Sequence, residues 1–261
     1  MKVGIFDSGM GGLSVLCRAM QMMPGIDYIY YADRKNVPYG EKTEEQVKSF
    51  VDESIRFLIA KDVDAVVIAC NTATSVATKE YRNEFPVPII GMEPAVKKAV
   101  EEYKDVPGRV LVAATPITIK GDKLLQLVER VDDERAVDLI AWPQLVRFAE
   151  AGEFESAAVV DSLKESLKDY PINEYKAVVM GCTHFNYFKN NYKEIFPQTT
   201  KYVDGVEGTL RQLIRKLPKE VTDEEKNGKG SVEYYFSGIK VDVNEEKLIK
   251  EYLRQLDRVE S

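Results

Sequence analysis

The chain has 261 residues, a formal net charge of −7 and 44% hydrophobic residues, enough for two domains of roughly 110 to 150 residues each. It carries no basic stripe or Lys/Arg run, which argues against nucleic acid and anionic membrane surfaces as main partners, and no apolar stretch of about 18 residues that could span a membrane. Three widely spaced cysteines without C-x-x-C point to a reduced, cytoplasmic protein rather than a disulfide scaffold, and a single histidine excludes a His-rich metal site.

Strands and helices alternate along the chain, the pattern of an α/β fold. Lys2 leads straight into a strand over Val3–Phe6, so no N-terminal targeting signal is expected. The strand runs into Asp7-Ser8-Gly9-Met10-Gly11-Gly12, with a helix predicted from about Leu13. A second strand spans Asp27–Ala32, followed by a loop through Val37-Pro38-Tyr39-Gly40. Thr43-Glu44-Glu45-Gln46 is a capping box, and Val47, Phe50, Val51, Ile55, Leu58 and Ile59 then share one helical face. Ala65–Ala69 is the strand before Cys70, and Val87–Gly91 is the next, set off by Pro86 and Pro88.

After Pro107-Gly108 the pattern restarts. Arg109–Ala114 echoes Lys2–Asp7, Asp138–Ala141 echoes the strand at Tyr28, Lys176–Cys182 echoes Asp64–Cys70, and Lys201–Val203 echoes Ile89-Ile90. The offsets stay within about 107 to 113 positions, so the order of four strands is preserved, as an internal duplication requires. Two similar α/β domains with parallel sheets, related by a pseudo-twofold, are expected: residues 1–96 plus 206–261, and residues 97–205. The C-terminal segment, with a strand at Val232–Phe236 and a helix after an N-cap at Asn244, is placed back on the first domain.

The duplication presents one thiol twice. Asp64-Ala-Val-Val-Ile-Ala-Cys70 and Lys176-Ala-Val-Val-Met-Gly-Cys182 are both apolar strands that break at a small residue before a cysteine and small polar groups. Open α/β sheets bind ligands at these carboxyl ends, so the two thiols are expected in the interdomain cleft. A thiol of ordinary pKa near 8.5 is lowered at a helix N-terminus, and both cysteines are expected to be activated in that way. Two such groups facing one α-carbon suit general acid–base exchange of a proton between opposite faces. Cys17, in an apolar helical stretch, reads as a small buried hydrophobe. No phosphate-loop Lys-Ser/Thr follows Gly11-Gly12.

Cys70-Asn71-Thr72-Ala73-Thr74, Gly181-Cys182-Thr183-His184, Asp7-Ser8-Gly9-Met10-Gly11-Gly12, Pro38-Tyr39-Gly40 and Ile90-Gly91-Met92-Glu93-Pro94, in this order, resemble the glutamate racemases, the cofactor-independent branch of the aspartate/glutamate racemase superfamily. The resemblance covers essentially the whole chain. It implies interconversion of L- and D-glutamate with neither pyridoxal phosphate nor metal, supplying D-glutamate for peptidoglycan, by an enzyme that often dimerises. It further implies that Cys70 serves the D-enantiomer and Cys182 the L-enantiomer, assisted by Asp7 and His184. Glu150, in Leu145-Val-Arg-Phe-Ala-Glu150, corresponds loosely to a family carboxylate and equally fits a solvated helix position. Ser8, Tyr39, Gly40, Asn71, Thr72, Thr183 and His184, with Asp7, match substrate-binding positions. Asn186 stands where the family often has proline, which leaves open how the helix after Cys182 begins. The middle motif Ala113-Ala-Thr115-Pro116-Ile-Thr118-Ile-Lys120 fits only a subset of the family. An aspartate or other acid racemase, a small-anion binding protein and a thiol redox protein are the alternatives.

Overall fold

The computed structural model describes residues 1–132, 134–217 and 222–260. Within them the strands in chain order are β1 (Lys2–Asp7), β2 (Asp27–Ala32), β3 (Ala65–Ile68), β4 (Ile89–Gly91), β5 (Arg109–Ala114), β6 (Val137–Ala141), β7 (Tyr175–Gly181), β8 (Lys201–Val203), β9 (Val232–Phe236) and β10 (Ile239–Lys240). They form a six-stranded sheet of order β10-β9-β2-β1-β3-β4 and a four-stranded sheet of order β6-β5-β7-β8. Every pairing is parallel except β10 with β9. The run β2-β1-β3-β4 has the same internal order as β6-β5-β7-β8, second-first-third-fourth, as the sequence echoes require.

The apolar strands are buried on both faces, and their period of two assigns each residue to one face. Val3 and Ile5 of β1, Ala65 and Val67 of β3, Leu111 and Ala113 of β5, and Val178 and Met180 of β7 all belong to one core. Their neighbours turn the other way: Phe6, Val66 and Ile68 enter a second core, and Val110, Val112, Ala177 and Val179 a third. The shared core therefore joins one face of each sheet, so the contact between the halves is interior rather than a seam of surface groups.

Local signals operate as the sequence reading predicts, with small shifts. Thr43 and Gln46 form the reciprocal capping box of the helix Glu44–Ile59. β4 starts at Ile89 rather than Val87, because Pro88 has no N–H to give; its carbonyl still accepts from Val66 N at 2.9 Å. The last helix, Val243–Glu260, is capped by Asp242 and not by Asn244. The Asp242 carboxylate accepts from Asn244 N and Glu245 N, and Glu245 Oε2 accepts from Asp242 N. β9 lies parallel to β2, from Tyr28 opposite Val232 to Ala32 opposite Phe236. The last helix packs against both the helix Leu13–Met22 and the 3₁₀ segment Thr183–Phe188.

At the lower end of the second sheet, Arg109 makes a two-pronged ion pair with Asp138 at 2.6 Å in each arm, and the Tyr175 hydroxyl donates to the same carboxylate at 2.8 Å. One side chain thus ties β5, β6 and β7 together. Hydrogen bonds from Arg109 hold the Asp138 carboxyl below its ordinary value against partial burial. A depressed carboxyl contributes stability above its unfolded pKa and loses it as pH falls through the folded one. Asp138→Asn should therefore lower unfolding stability by about 1 to 2 kcal/mol at pH 7. Denaturant titrations should show the gap to wild type closing below about pH 4.

Candidate active site

The parallel strands of both sheets deliver polar residues to one junction. β1 ends at Asp7, β3 leads to Cys70 and β7 to Cys182, each at the carboxyl end of its strand. Cys70 and Cys182 are 6% and 7% exposed, and Asp7 is fully buried. The Cys70 thiol donates to Ser8 Oγ at 3.5 Å and accepts from Ala73 N at 3.4 Å, capping the helix Asn71–Val76. Asp7 Oδ2 accepts from Gly9 N at 3.0 Å, while Oδ1 accepts from the Thr183 hydroxyl at 3.2 Å. Cys182 Sγ sits 3.7 Å from His184 Nδ1, and His184 Nε2 lies 2.7 Å from Glu150 Oε1. The same Glu150 oxygen accepts from Met10 N at 2.6 Å.

These bonds close a chain of contacts from one thiol to the other across the two halves. The glycine loop after Asp7 is its centre. Tyr30 OH donates to Gly9 O and Tyr187 OH to Met10 O, both at 2.7 Å, so the loop is held from each side. The loop can only approach the second half without side chains. A Cβ on Gly9 would strike the Glu150 carboxylate, and a Cβ on Gly11 would lie 2.5 Å from Thr183 Oγ1 and 2.6 Å from His184 N. Glu150 is therefore a junction residue and not a solvated helix position, with its side chain 13% exposed.

The remaining expected residues lie around this chain. Thr72 Oγ1 shares a hydrogen bond of 2.8 Å with Thr115 Oγ1, which also meets Thr118 Oγ1 at 3.1 Å. Asn71 Nδ2 donates to Met92 O at 3.2 Å, leaving its buried Oδ1 without a hydrogen-bond partner. Tyr39 shares a buried cluster with Cys70, and its hydroxyl donates to Asp33 at 2.7 Å, while Gly40 packs on Thr115. A cavity of about 610 Å³ runs outward from Asn71 between Thr74, Ser75 and Pro94 on one side and Ile117, Thr118 and Lys123 on the other; neither thiol lines it. Among the described residues no three His, Cys, Asp or Glu side chains are grouped to hold a metal ion.

The lowering expected at Cys70 is not found. Burial, reinforced by the nearby Asp7, pushes Cys70 up to about 12, which outweighs the help of Ser8 and the Ala73 N–H. Cys182 is followed by a 3₁₀ segment, Thr183–Phe188, rather than an α-helix; its thiol makes no capping bond there and meets the His184 ring instead. Asn186, in place of proline, donates weakly to Thr183 O within that segment and to Ser14 Oγ of the helix Leu13–Met22. Burial works against charge on His184, but hydrogen bonds and attraction from Cys182 and Glu150 win and lift the imidazole well above its ordinary value. Glu150 is correspondingly held low: burial opposes it, but the His184 contact, the Met10 N–H and Arg34 prevail. Burial raises Asp7 against the pull of His184.

Two residues escaped the sequence reading. Thr115 follows β5 as Ser8 follows β1, so the strand-end rule that marked the first thiol's neighbours applies equally to it. Arg34, 3.6 Å from Glu150 Oε2, has no comparable signal, because its partner is chosen only by the packing of the two halves.

A family model described as Asp/Glu/Hydantoin racemase matches residues 12–213. A glutamate racemase of Lachnospira eligens is 49% identical over 262 aligned positions, covering 99% of each chain. The crystal structure of a Campylobacter jejuni glutamate racemase superposes with a TM-score of 0.81 at 26% identity, covering 97% of this chain and 98% of the other. That of an Escherichia coli glutamate racemase, in complex with L-glutamate and the activator UDP-MurNAc-ala, gives 0.77 at 28% identity, covering 99% and 94%.

The glycine-loop geometry is checked by a pair of substitutions. Gly11→Ala should lower stability by about 2 kcal/mol or more, since the His184 backbone N meets the new methyl together with the buried Thr183 hydroxyl and His184 ring. Gly208→Ala, inside the helix Val206–Lys216 where a Cβ meets nothing within 4 Å, should raise it by about 0.5 to 1 kcal/mol. Thermal melts followed by circular dichroism give both signs.

Proposed function

Since this chain belongs to the Asp/Glu/Hydantoin racemase family and interconverts L- and D-glutamate, we propose that Cys70 and Cys182 are the two bases that exchange the α-proton. The observation that carries this reading is the meeting of two strand-end thiols, one from each sheet, in a single buried hydrogen-bonded junction. As one thiolate takes the α-proton, an S–H bond forms and the C–H bond breaks; the opposite thiol gives its proton to the other face, and the mirror-image product is released. By the family pattern, Cys70 deprotonates D-glutamate and Cys182 deprotonates L-glutamate.

The side chains divide the substrate's charges by chemistry. Asp7 and the free Asn71 Oδ1 are acceptors and suit the ammonium group. The Ser8, Thr72 and Thr183 hydroxyls and backbone N–H groups suit the carboxylates. An ammonium at Asp7 offsets the negative charge that helps keep Cys70 protonated, so substrate entry itself prepares the first thiol. On the other side, an imidazolium at His184, held by Glu150, is the counter-charge for a thiolate at Cys182. Tyr39 and Gly40, matching substrate-binding positions, also contact Asp33 and Thr115. The same reading divides the chain into residues 1–96 plus 206–261 and residues 97–205, with the substrate between them. It also carries a cytoplasmic setting and a homodimer. Three free cysteines fit the former, and among the described residues no helix is long and apolar enough to cross a membrane. The D-glutamate made serves peptidoglycan synthesis.

Enantiomers have equal free energies, so kcat/KM must be equal in the two directions for every variant, and the separate roles of the thiols appear in exchange rather than in net rate. In deuterated water, Cys70→Ser and Cys182→Ser should each lose racemisation by about a thousandfold. Each should still wash deuterium into the enantiomer whose thiol remains, read by NMR and circular dichroism. Full racemisation in either variant overturns the two-thiol assignment. An aspartate substrate in parallel separates the sister activity.

A further inference from the structure

We propose that Arg34 is a positioning residue that acts through Glu150 on His184 and thereby governs the protons beside Cys182, an inference that rests on the two-thiol reading above. Two buried polar atoms lack hydrogen-bond partners and face each other: Arg34 Nε and Glu150 Oε2, 3.6 Å apart. That separation is an ion pair but too long for a hydrogen bond. The other Glu150 oxygen is already committed to Met10 N and His184 Nε2, so Oε2 is where the carboxylate can still be held. A line of contacts then runs from Arg34 through Glu150 and His184 to Cys182, with steps of 3.6, 2.7 and 3.7 Å.

Both partners of the unmade bond are aimed by the C-terminal segment. The Arg34 guanidinium lies over the Phe236 ring of β9 at 5.1 Å. The Tyr252 hydroxyl of the last helix donates to Ala149 O at 2.6 Å and Glu150 O at 3.1 Å, fixing the backbone from which the carboxylate projects. The titratable groups around Glu150 are Asp7 at the end of β1, Tyr30 of β2, Arg34 in the loop after it, His184 and Tyr187 of the 3₁₀ segment, and Tyr252. Arg34 is the fixed cation of that set. It adds to the His184 contact and the Met10 N–H in keeping Glu150 ionised, and an ionised Glu150 fixes the His184 Nε2–H toward itself and leaves Nδ1 for Cys182.

Because His184 is the only histidine, ¹⁵N-histidine NMR of the ligand-free protein reports this imidazole alone. The hydrogen-bonded Nε2–H signal should vanish on acidification as Glu150 takes up a proton. In Arg34→Gln that step should move up by about one pH unit, and Arg34→Lys, which keeps the charge, should stay near wild type. Phe236→Leu, which removes the ring beneath the guanidinium, should move it in the same direction by less. The acid limb of kcat should move with the signal, while kcat on the alkaline plateau and KM stay within about threefold of wild type. An Nε2–H transition and acid limb unmoved in both Arg34→Gln and Phe236→Leu overturn the proposal. If instead the histidine signal moves as stated but the wild type exchanges no α-proton of glutamate, the racemase chemistry fails and the Arg34–Glu150–His184 coupling stands.

Discussion

One carboxylate oxygen, Glu150 Oε1, accepts at once from the Met10 backbone N–H of the first half and the His184 ring of the second. A buried carboxylate is costly unless charge and hydrogen bonds surround it, and here neither half provides them alone. The glycine loop and the 3₁₀ segment after Cys182 converge on that oxygen, and the Arg34 loop on its companion Oε2. The absence of side chains at Gly9 and Gly11 follows from the same constraint, since a methyl at either position occupies the space these acceptors and donors use. So does the burial of Asp7, whose Thr183 contact lies on the adjacent turn.

The duplication sets a frame that the site then departs from. Matching strand order puts a thiol at equivalent ends of two sheets, but the neighbours differ in kind. Cys70 caps a true helix and touches a hydroxyl; Cys182 precedes a 3₁₀ segment and touches an imidazole. Burial and Asp7 raise the first thiol, while the second stands beside a group whose own charge is favoured. The two thiols thus stand at strand ends alike in sheet order and unlike in their neighbours.

What could be read in the residues was what depends on near neighbours. The strand runs, the Thr43 capping box and the repeated thiol context are local, and they hold in three dimensions to within a residue or two at the ends. Asp242 displaced Asn244 as cap because two capping side chains, a carboxylate and an amide, stand two residues apart, and Glu245 completes a box only with the earlier one. Glu150 was ambiguous because its partners lie 140 and 34 positions away, and a helix position gives no hint of which loop it will meet. Cys70 departs from the expected lowering for a related reason. A helix start is visible in sequence, whereas desolvation is a property of everything packed around the sulfur.

The placement of Phe236 and Tyr252 has a consequence for the protein's birth. Asp7, Arg34, Cys70, Glu150 and Cys182 all precede them along the chain, yet the Glu150 backbone and the Arg34 guanidinium are held by these later residues. β9 must also add to β2 before the first sheet has its full width. A nascent chain that has already emitted both thiols therefore still lacks the backing of the His184 side. Synthesis proceeds from the amino end, so both thiols are made before the residues that brace the carboxylate. The site matures only as the final strand and helix leave the ribosome.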